Sequence, residues 1–159
     1  MNVYNIKDIN SLYEKIKIGN EIYKCSLEFS KDYPNFLEWY MKHLIESIIT
    51  NNRTILYVKD NNNIIAFSLL KRKDEKKICT IFVNENYRNR KIGTKLLLES
   101  FKYLGTTKPL ITIRDYKINY FKSIIEKYNW SMDEELVDYY GKNTKEYCFN
   151  KIRYWHEEI

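Results

Sequence analysis

The fold of this chain is decided by residues 78–98, which read Ile78-Cys-Thr-Ile-Phe-Val-Asn-Glu-Asn-Tyr-Arg-Asn-Arg-Lys-Ile-Gly-Thr-Lys-Leu-Leu-Leu98. The β-branched and aromatic residues at its start predict a strand, and the leucines at its end predict a helix. Between them lies a polar, basic loop, with Gly93 at the junction with the helix. A loop that leads into a helix presents backbone N–H groups to phosphate. The stretch therefore predicts a binding site for a phosphorylated cofactor.

The composition predicts a single domain over residues 1–159. This length is enough to bury roughly 70% of the surface that the unfolded chain exposes. Only 4 glycines and 2 prolines occur, so we expect no flexible linker. The N-terminus lacks the pattern of a signal peptide, and no apolar run reaches the about 20 residues of a membrane span. We therefore expect a soluble, cytoplasmic protein without membrane contact.

The charges and cysteines narrow the classes of function. The net charge of +6 would attract an anionic cofactor, an acidic protein or a nucleic acid, and it equally fits solvated surface lysines. Cys25, Cys79 and Cys148 are widely separated and lack the spacing of metal ligands. We expect reduced core thiols and no metal site, with a catalytic thiol as the alternative. His43 and His156 are the two histidines, and packing or surface positions are more typical of such residues than a role as base.

The N-terminal part predicts a strand and two helices. Residues 2–6 are a strand candidate, and Asp8 can cap a helix over about 9–17 by accepting hydrogen bonds from the first-turn amides. Residues 20–33 show no clear pattern. A helix over about 34–50 begins with a proline and carries apolar residues at three- and four-residue spacing.

The rest of the chain alternates strand and helix patterns. A meander of three strands is followed by the helix of the quoted stretch, a strand, a helix and two closing strands. The strands are predicted at 54–59, 64–70, 78–83, 109–113, 136–140 and 146–150, and the helices at about 92–103 and 116–128. This order predicts an α/β fold with a central, mostly antiparallel mixed sheet and helices on both faces. The unit over 78–113 is expected to connect parallel strands by a right-handed crossover.

The element order and the loop together resemble the GNAT superfamily of N-acetyltransferases over nearly the whole chain. The family motif is Gln/Arg-x-x-Gly-x-Gly/Ala, with an aromatic residue before it and paired leucines after it. Lys91 stands where the family usually has its first glycine, so we expect this lysine to adopt an ordinary conformation or to shift the loop. The matching positions are Tyr87, Arg88, Ile92, Gly93, Leu96 and Leu97.

The resemblance implies an acyltransferase that uses acetyl-CoA. It implies that backbone groups of Ile81 and Val83 pair with the pantetheine amides where the sheet splays apart. It also implies a contact from an asparagine early in the fourth helix; strict register falls on Ile118, and Asn119 is the neighbouring candidate. The pyrophosphate is expected on the amides of Arg88, Asn89, Arg90, Lys91, Ile92, Gly93 and Thr94.

The catalytic pair that many family members use is not at its usual positions. Lys77 stands where the family often has a glutamate base, and Ile125 stands where it often has a tyrosine acid. Tyr128 lies one turn beyond Ile125 and is either a substitute acid or a packed corner residue. Alignment of an amine beside a bound thioester can itself supply several kcal/mol. Five aromatic residues are expected either to line the acceptor side or to belong to the core: Trp39, Tyr40, Trp130, Tyr139 and Tyr140.

Three functions are compatible with these residues. The leading one is transfer of an acetyl group from acetyl-CoA to a primary amine of a small molecule, a peptide or an aminoacyl-tRNA. The second is modification of a nucleobase or tRNA by an acetyltransferase-like fold, which the charge and the aromatic residues would serve. The third is a CoA-binding module without turnover. The aromatic tail at 152–156 can form a homodimer contact or fold back on the sheet, and both alternatives are open.

Overall fold

The computed structural model describes residues 1–31 and 33–151. Short 3-10 helices lie at Ile6–Asp8, Glu85–Tyr87 and Asp115–Lys117. The order of strands and α-helices is the predicted one. In chain order they are β1 (Val3–Asn5), α1 (Leu12–Ser30), α2 (Phe36–Ile49), β2 (Arg53–Asp60), β3 (Asn63–Lys71), β4 (Lys77–Val83), α3 (Ile92–Leu104), β5 (Ile111–Arg114), α4 (Ile118–Lys127), β6 (Met132–Val137) and β7 (Lys145–Phe149).

The strands form two antiparallel sheets rather than one continuous sheet. The first has the order β1-β2-β3-β4, and the second has the order β5-β7-β6. The two sheets are joined by a parallel bridge between Lys77 and Leu110, at the start of β4. The parallel pairing predicted for 78–83 and 109–113 is therefore wrong in extent, because β4 and β5 separate beyond this bridge. The separation leaves a fork between the two strands.

Helices cover both faces of the first sheet, as predicted. Successive side chains of a strand point to opposite faces, and β2 shows this alternation. Leu56 and Val58 join the buried cluster that contains residues of α3, whereas Ile55 and Tyr57 join the cluster that contains residues of α1 and α2. Apolar side chains of α4 pack against the first of these clusters. The α/β fold class is thus confirmed.

The first helix starts later than predicted. Asp8 ends a 3-10 turn, and Ser11 caps α1 with its Oγ, which accepts a hydrogen bond at 3.3 Å from the amide three residues on. Serine and aspartate are similarly good N-caps, so the sequence carries two start signals and the prediction chose the wrong one. The helix continues through the stretch without a clear pattern because Ile18 and Ile22 pack in the core.

Helices α1 and α2 approach each other closely at Gly19. A Cβ atom on Gly19 would lie 2.6 Å from both methyl groups of Leu44. The buried Tyr40 donates its hydroxyl hydrogen to the Gly19 carbonyl at 2.6 Å. Helix α2 begins at Phe36, just after its predicted start, because Asn35 is left-handed with φ 60°. This contact fixes the two helices against each other.

The first closing strand lies earlier than predicted. β6 ends at Val137, whereas the prediction was 136–140. Asp138 is left-handed with φ 58°, and its amide donates to the Thr144 carbonyl at 2.8 Å. The left-handed residue ends the strand and starts a turn. Tyr139 and Tyr140 therefore lie in this turn instead of in a strand.

Three further predictions concern membranes, metals and the C-terminal tail. Within residues 1–31 and 33–151, no helix is long and apolar enough to cross a membrane. The same residues contain no group of three His, Cys, Asp or Glu side chains suited to a metal ion. Cys25, Cys79 and Cys148 are free thiols, of which Cys148 is buried and the other two are partly exposed. The tail at 152–156, with its predicted dimer contact, and His156 lie outside the described residues.

Candidate active site

The loop before α3 presents backbone amides that have no protein acceptor. Lys91 is the N-cap of α3, and its side chain makes no capping hydrogen bond. In the described part of the chain, no acceptor is found for the amides of residues 89–94. The amide of Arg88, which the prediction included, donates to the Glu85 carbonyl at 3.4 Å and does not belong to this set. Asn89 and Lys91 are both left-handed, with φ 64° and φ 61°. Such alternating conformations at a helix N-terminus orient several N–H groups towards one point, which suits an anion.

Lys91 adopts a left-handed backbone conformation, which glycine takes without strain. We expected this lysine to adopt an ordinary conformation or to shift the loop, and that expectation is wrong. The backbone of Lys91 is left-handed, and its side chain is exposed. A left-handed non-glycine residue costs roughly 1–2 kcal/mol. The loop therefore carries local backbone strain at Lys91.

Gly93 leaves an open space beside these amides. Its φ is not positive, and a Cβ atom there would meet the Cγ2 atom of Val83 at 3.5 Å, an ordinary contact distance. Neither backbone conformation nor packing within the chain therefore requires glycine at this position. The space that a side chain would fill lies over the first turn of α3, where a bound group can approach the backbone.

Basic and aromatic side chains hold the loop in place. Tyr87 donates its hydroxyl hydrogen to Oδ2 of Asp60 at 2.7 Å, which ties the loop to the end of β2. The guanidinium of Arg90 lies 5.2 Å from the centre of the Tyr87 ring. Arg88 donates from Nε to the Val83 carbonyl at 3.2 Å. These contacts leave positive charge around the unpaired amides.

The end of β4 has an open edge. The amide of Asn84 donates to the Ile65 carbonyl in β3 at 2.8 Å, so the backbone groups of Asn84 face β3. In an antiparallel pair the direction of these groups alternates along the strand. The backbone groups of Ile81 and Val83 accordingly face away from β3, towards the fork. Their predicted pairing with pantetheine is compatible with this direction and stays a prediction.

The fork between β4 and β5 contains a cleft of about 450 Å³. Both strands contribute to its lining, together with residues that follow α1 and precede β7. Its polar lining side chains include Lys77, Cys79, Arg114, Lys117 and Glu146. Its aromatic lining side chains are Phe29, Tyr33, Phe36, Trp39, Phe82, Phe121, Tyr139 and Tyr140.

A buried carboxylate lies in the cleft lining. Glu146 on β7 is paired in register with Arg114 on β5, and its side chain is 3% exposed. Oε1 of Glu146 accepts a hydrogen bond from the Tyr33 hydroxyl at 3.4 Å and lies 3.6 Å from Nε of Arg114. Oε2 of Glu146 has no hydrogen-bond partner among the described residues. The ring of Tyr33 lies beneath the Arg114 guanidinium, at 5.1 Å, and beside the ring of Tyr140, at 5.4 Å.

Burial sets the protonation of this cluster. It raises the pKa of Glu146 above its ordinary value, an effect that the Arg114 guanidinium opposes. It also raises the pKa of the Tyr33 and Tyr140 hydroxyls. Burial acts to lower the pKa of Lys77, but the nearby Cys79 thiol and Tyr140 outweigh it and the net shift is upward. Among Glu146, Tyr33, Tyr140 and Lys77, Glu146 is therefore the group whose pKa moves towards neutral pH.

The predicted catalytic and cofactor residues of α4 do not reach this cluster. Tyr128 packs edge-to-face on Phe101 at 5.2 Å and is not among the residues that line the cleft. Asn119 is exposed near the start of α4, whereas Ile118 and Ile125 pack against the core. The position of Tyr128 is that of a packed corner residue. We therefore leave Tyr128 out of the proposed chemistry and keep the contact of Asn119 as a prediction.

The predicted acceptor-side aromatic residues fall into two groups. Trp39, Tyr139 and Tyr140 line the cleft. Tyr40 is fully buried between α1 and α2, and Trp130 is buried with its indole N–H donating to the Thr107 carbonyl at 2.8 Å. These two are core residues. Their hydrogen bonds satisfy their polar atoms inside the protein.

The sequence prediction missed the most polar part of the cleft. Glu146 alternates with Cys148 on one face of β7, and both are buried. A glutamate at an inward position of a predicted strand is rarely buried without a reason, and this was the available signal. Tyr33 and Arg114 carried no such signal, because their proximity to Glu146 depends on the tertiary fold.

Sequence comparison assigns the chain to one known family. The profile of the Acetyltransferase (GNAT) family matches residues 18–108, which is more than half of the chain. The chain therefore belongs to the GNAT acetyltransferase family, and acetyl-CoA is the cosubstrate of that family. No match to a curated protein was found for the sequence.

Solved structures with the same fold extend over nearly the full chain. A ribosomal-protein alanine N-acetyltransferase from Escherichia coli aligns with TM-score 0.65 and 12% identity, covering 93% of this chain and 92% of that one. A GNAT acetyltransferase from Streptococcus pneumoniae aligns with TM-score 0.63 and 14% identity, covering 93% and 97%. An aminoglycoside 6'-N-acetyltransferase solved with coenzyme A aligns with TM-score 0.60 and 13% identity, covering 94% and 95%. At these identities the similarity shows the fold.

Proposed function

We propose that the chain is an N-acetyltransferase that moves the acetyl group of acetyl-CoA to a primary amine held in the cleft between β4 and β5. The observation that carries this proposal is the row of backbone amides without acceptors at the start of α3. Those amides lie one short loop beyond the end of β4, whose open edge leads into the cleft. One strand thus joins a phosphate-binding loop to a space in which an amine and a thioester can be aligned.

The residues present fit acetyl-CoA. The amides of residues 89–94 and the positive end of the α3 dipole suit its pyrophosphate, and Gly93 leaves room for close approach. Arg88, Arg90 and Lys91 add positive charge. The outward backbone groups of Ile81 and Val83 suit the amides of the pantetheine arm. When bound, acetyl-CoA supplies a thioester carbonyl that is open to attack by an amine.

The first experiment is a calorimetric titration of the purified protein with acetyl-CoA in moderate salt. We expect saturable binding in the wild type and its loss in Arg88→Glu and Gly93→Trp. Lys102→Glu is the matched control, because it makes the same charge change at the far end of α3. A global charge effect would weaken binding equally in both glutamate variants, whereas a local site requires that only Arg88→Glu does so.

Turnover is tested by release of free thiol from acetyl-CoA in the presence of a panel of primary amines. Release with any amine supports the transfer reaction. Saturable binding of acetyl-CoA without thiol release on any amine of the panel would instead support a CoA-binding module without turnover. The atypical residues Lys91, Lys77 and Ile125 are the reason for considering this alternative. Absence of saturable acetyl-CoA binding would contradict both.

Modification of a nucleobase or tRNA is the alternative acceptor class. Its support is the net charge of +6 and the aromatic residues of the cleft. A nucleic-acid partner predicts that the logarithm of the binding constant falls steeply and linearly with the logarithm of salt concentration. Filter binding of tRNA and of a DNA duplex at several salt concentrations tests this. The homodimer and the cytoplasmic location stay predictions.

A further inference from the structure

We propose that Glu146 is the residue that receives the acceptor amine, and that the acceptor is a compact amine carrying a flat aromatic group. This inference rests on the proposed function, because it concerns the same cleft. It names a residue on β7 and a class of acceptor, neither of which follows from membership of the family.

Glu146 lies in the wall of the cleft and is buried. Its carboxylate belongs to the cleft lining, yet the side chain is 97% shielded from solvent, with 3% exposed. Tyr33 and Arg114 both approach Oε1, so they hold the carboxylate in one orientation. The carboxylate is therefore a fixed group inside the cleft, and its position does not depend on solvent.

The hydrogen bonding of Glu146 points to a ligand. Buried polar atoms in folded proteins nearly always have a partner, and a buried charge without one is costly. Oε2 of Glu146 has none among the described residues. An ionised carboxylate can only accept hydrogen bonds, so a ligand group that pairs with Oε2 must be a hydrogen-bond donor. A primary amine or ammonium is such a donor.

The walls and size of the cleft define the rest of the acceptor. Aromatic side chains such as Trp39, Phe82, Tyr139 and Tyr140 line the same cleft as the carboxylate, and aromatic faces favour both flat rings and cations. The volume of about 450 Å³ is in the range of small-molecule sites and must also hold the acetyl end of the cosubstrate. A compact arylalkylamine fits these limits better than a folded protein surface.

The chemical step assigns one proton to Glu146. The acceptor nitrogen forms a bond to the thioester carbon, the bond from that carbon to sulfur breaks, and its electron pair leaves on sulfur. One proton of the amine passes to Oε2 of Glu146, and the thiolate takes a proton from solvent, so that an amide and a free thiol result. A carboxylate within hydrogen-bond reach of the amine is the geometry that a general base needs.

The test uses 2-phenylethylamine as the probe and 2-phenylethanol as its uncharged match. Calorimetric titrations are made with the wild type and with Glu146→Gln, in the presence and absence of CoA. We expect Glu146→Gln to weaken binding of the amine by about tenfold or more, since a hydrogen bond to a charged group is lost, and to leave the alcohol unchanged. Equal amine affinity in both proteins would overturn the proposal.

Two further variants separate function from folding. Glu135→Gln removes an exposed glutamate from the neighbouring β6 and should change neither ligand. Glu146→Asp keeps the charge and should recover part of the amine affinity. Melting temperatures of all variants show whether each is folded. If Glu146→Gln is unfolded, the comparison of wild type and Glu146→Asp decides, since unchanged amine affinity on shortening the side chain overturns the proposal.

The pH profile gives a readout that a merely structural role would not move. Tyr33, Lys77, Arg114 and Tyr140 face Glu146 from the neighbouring elements, and the net effect of its surroundings is a raised pKa. The kcat/KM of the wild type for 2-phenylethylamine should rise with pH because the amine attacks in its neutral form, and ionisation of Glu146 should add a separate inflection at its own pKa. Glu146→Gln should lose this inflection and keep the rise that comes from the amine. An inflection of wild-type size in Glu146→Gln would overturn the assignment of the base.

The outcomes also distinguish this inference from the proposed function. Binding of acetyl-CoA without binding of 2-phenylethylamine would overturn the acceptor class and leave the acetyltransferase proposal standing. Binding of the amine that depends on Glu146, with no binding of acetyl-CoA, would support the amine site and contradict the acetyltransferase. Thiol release that depends on both Gly93 and Glu146 would support the two proposals together.

Discussion

At the scale of single residues, we expect substitution of Gly93 to change acetyl-CoA binding and the free energy of unfolding in opposite directions. Glycine within a helix is less stable than alanine by roughly 0.5–1 kcal/mol, and the nearest atom to a Cβ here is at contact distance. We therefore expect Gly93→Ala to raise the free energy of unfolding by about that amount while weakening acetyl-CoA binding, because the methyl group fills the space over the amides. Urea unfolding and calorimetry measure the two effects.

Gly105 provides the matched control for this prediction. It caps the other end of α3 with φ 73°, a conformation that alanine adopts only with strain. Gly105→Ala should lower the free energy of unfolding by about 1 kcal/mol and leave acetyl-CoA binding unchanged. If Gly93→Ala behaves in the same way as Gly105→Ala, the space over the first turn of α3 has no role in binding.

Lys91 offers a second prediction at the residue scale. Its φ of 61° is comfortable for glycine and strained for lysine. Lys91→Gly should therefore raise the free energy of unfolding by about 1 kcal/mol and keep the loop able to bind acetyl-CoA. Lys91→Ala removes the same charge without relieving the strain, so it should not share the gain. Equal unfolding energies for the two variants would contradict the strained conformation.

At the scale of secondary-structure elements, the contact between α1 and α2 makes Gly19 sensitive. A Cβ atom would approach the methyl groups of the buried Leu44 to 2.6 Å, and overpacking of this kind costs typically 1–3 kcal/mol. We expect Gly19→Ala to lower the free energy of unfolding by such an amount. The measurement is urea unfolding followed by circular dichroism.

A double-variant cycle identifies the cause of that loss. Leu44→Val removes part of the side chain that Gly19→Ala would meet. The double variant should be more stable than the sum of the two single effects, because contacting residues do not act additively. Strict additivity would show that Gly19→Ala acts through the helix backbone instead of through the contact with Leu44.

The order of the elements was predictable because strand and helix periods differ clearly along the chain. The prediction erred where two signals competed, as at Asp8 and Ser11, and where a left-handed residue such as Asp138 ends a strand. The loop with unpaired amides before α3 was predictable because its residues are contiguous in the sequence. The cluster around Glu146 was not, since Tyr33, Arg114 and Glu146 come from three distant segments and meet only in the tertiary fold.

At the scale of the whole molecule, we expect the free energy of unfolding to depend on pH because of His43. His43 is buried, with Nε2 3.2 Å from the Thr54 carbonyl and Nδ1 2.9 Å from Nη1 of Arg53. The arginine can only donate, so Nδ1 accepts and the imidazole is neutral. Burial, together with the positive charge of Arg53, lowers the pKa of His43 to about 3.

This lowered pKa fixes the sign of the effect. In the unfolded chain His43 has a pKa near 6.5, so below that pH its imidazole binds a proton there but stays neutral in the folded chain. The free energy of unfolding is therefore highest above pH 6.5 and decreases as pH falls towards 3. Between pH 6.5 and pH 4 the expected loss is about 3 kcal/mol. Urea unfolding at pH 7, 5 and 4 measures it. His43→Gln should be less stable at pH 7 and show a smaller loss on acidification; an equally steep loss would assign the acid sensitivity to other groups.

The fork between the two sheets also bears on self-association. An unpaired strand edge normally invites strands from other molecules, and repeated addition of strands is how fibrous aggregates grow. The edge at Ile81 and Val83 is different, because β5 stands on the opposite side of the gap. A strand added beside β4 would have β5 on its other side, so it would not expose a new unpaired edge. We therefore expect this edge to pair with at most one extended chain, so the opening proposed here for a narrow ligand should not support the growth of a fibre.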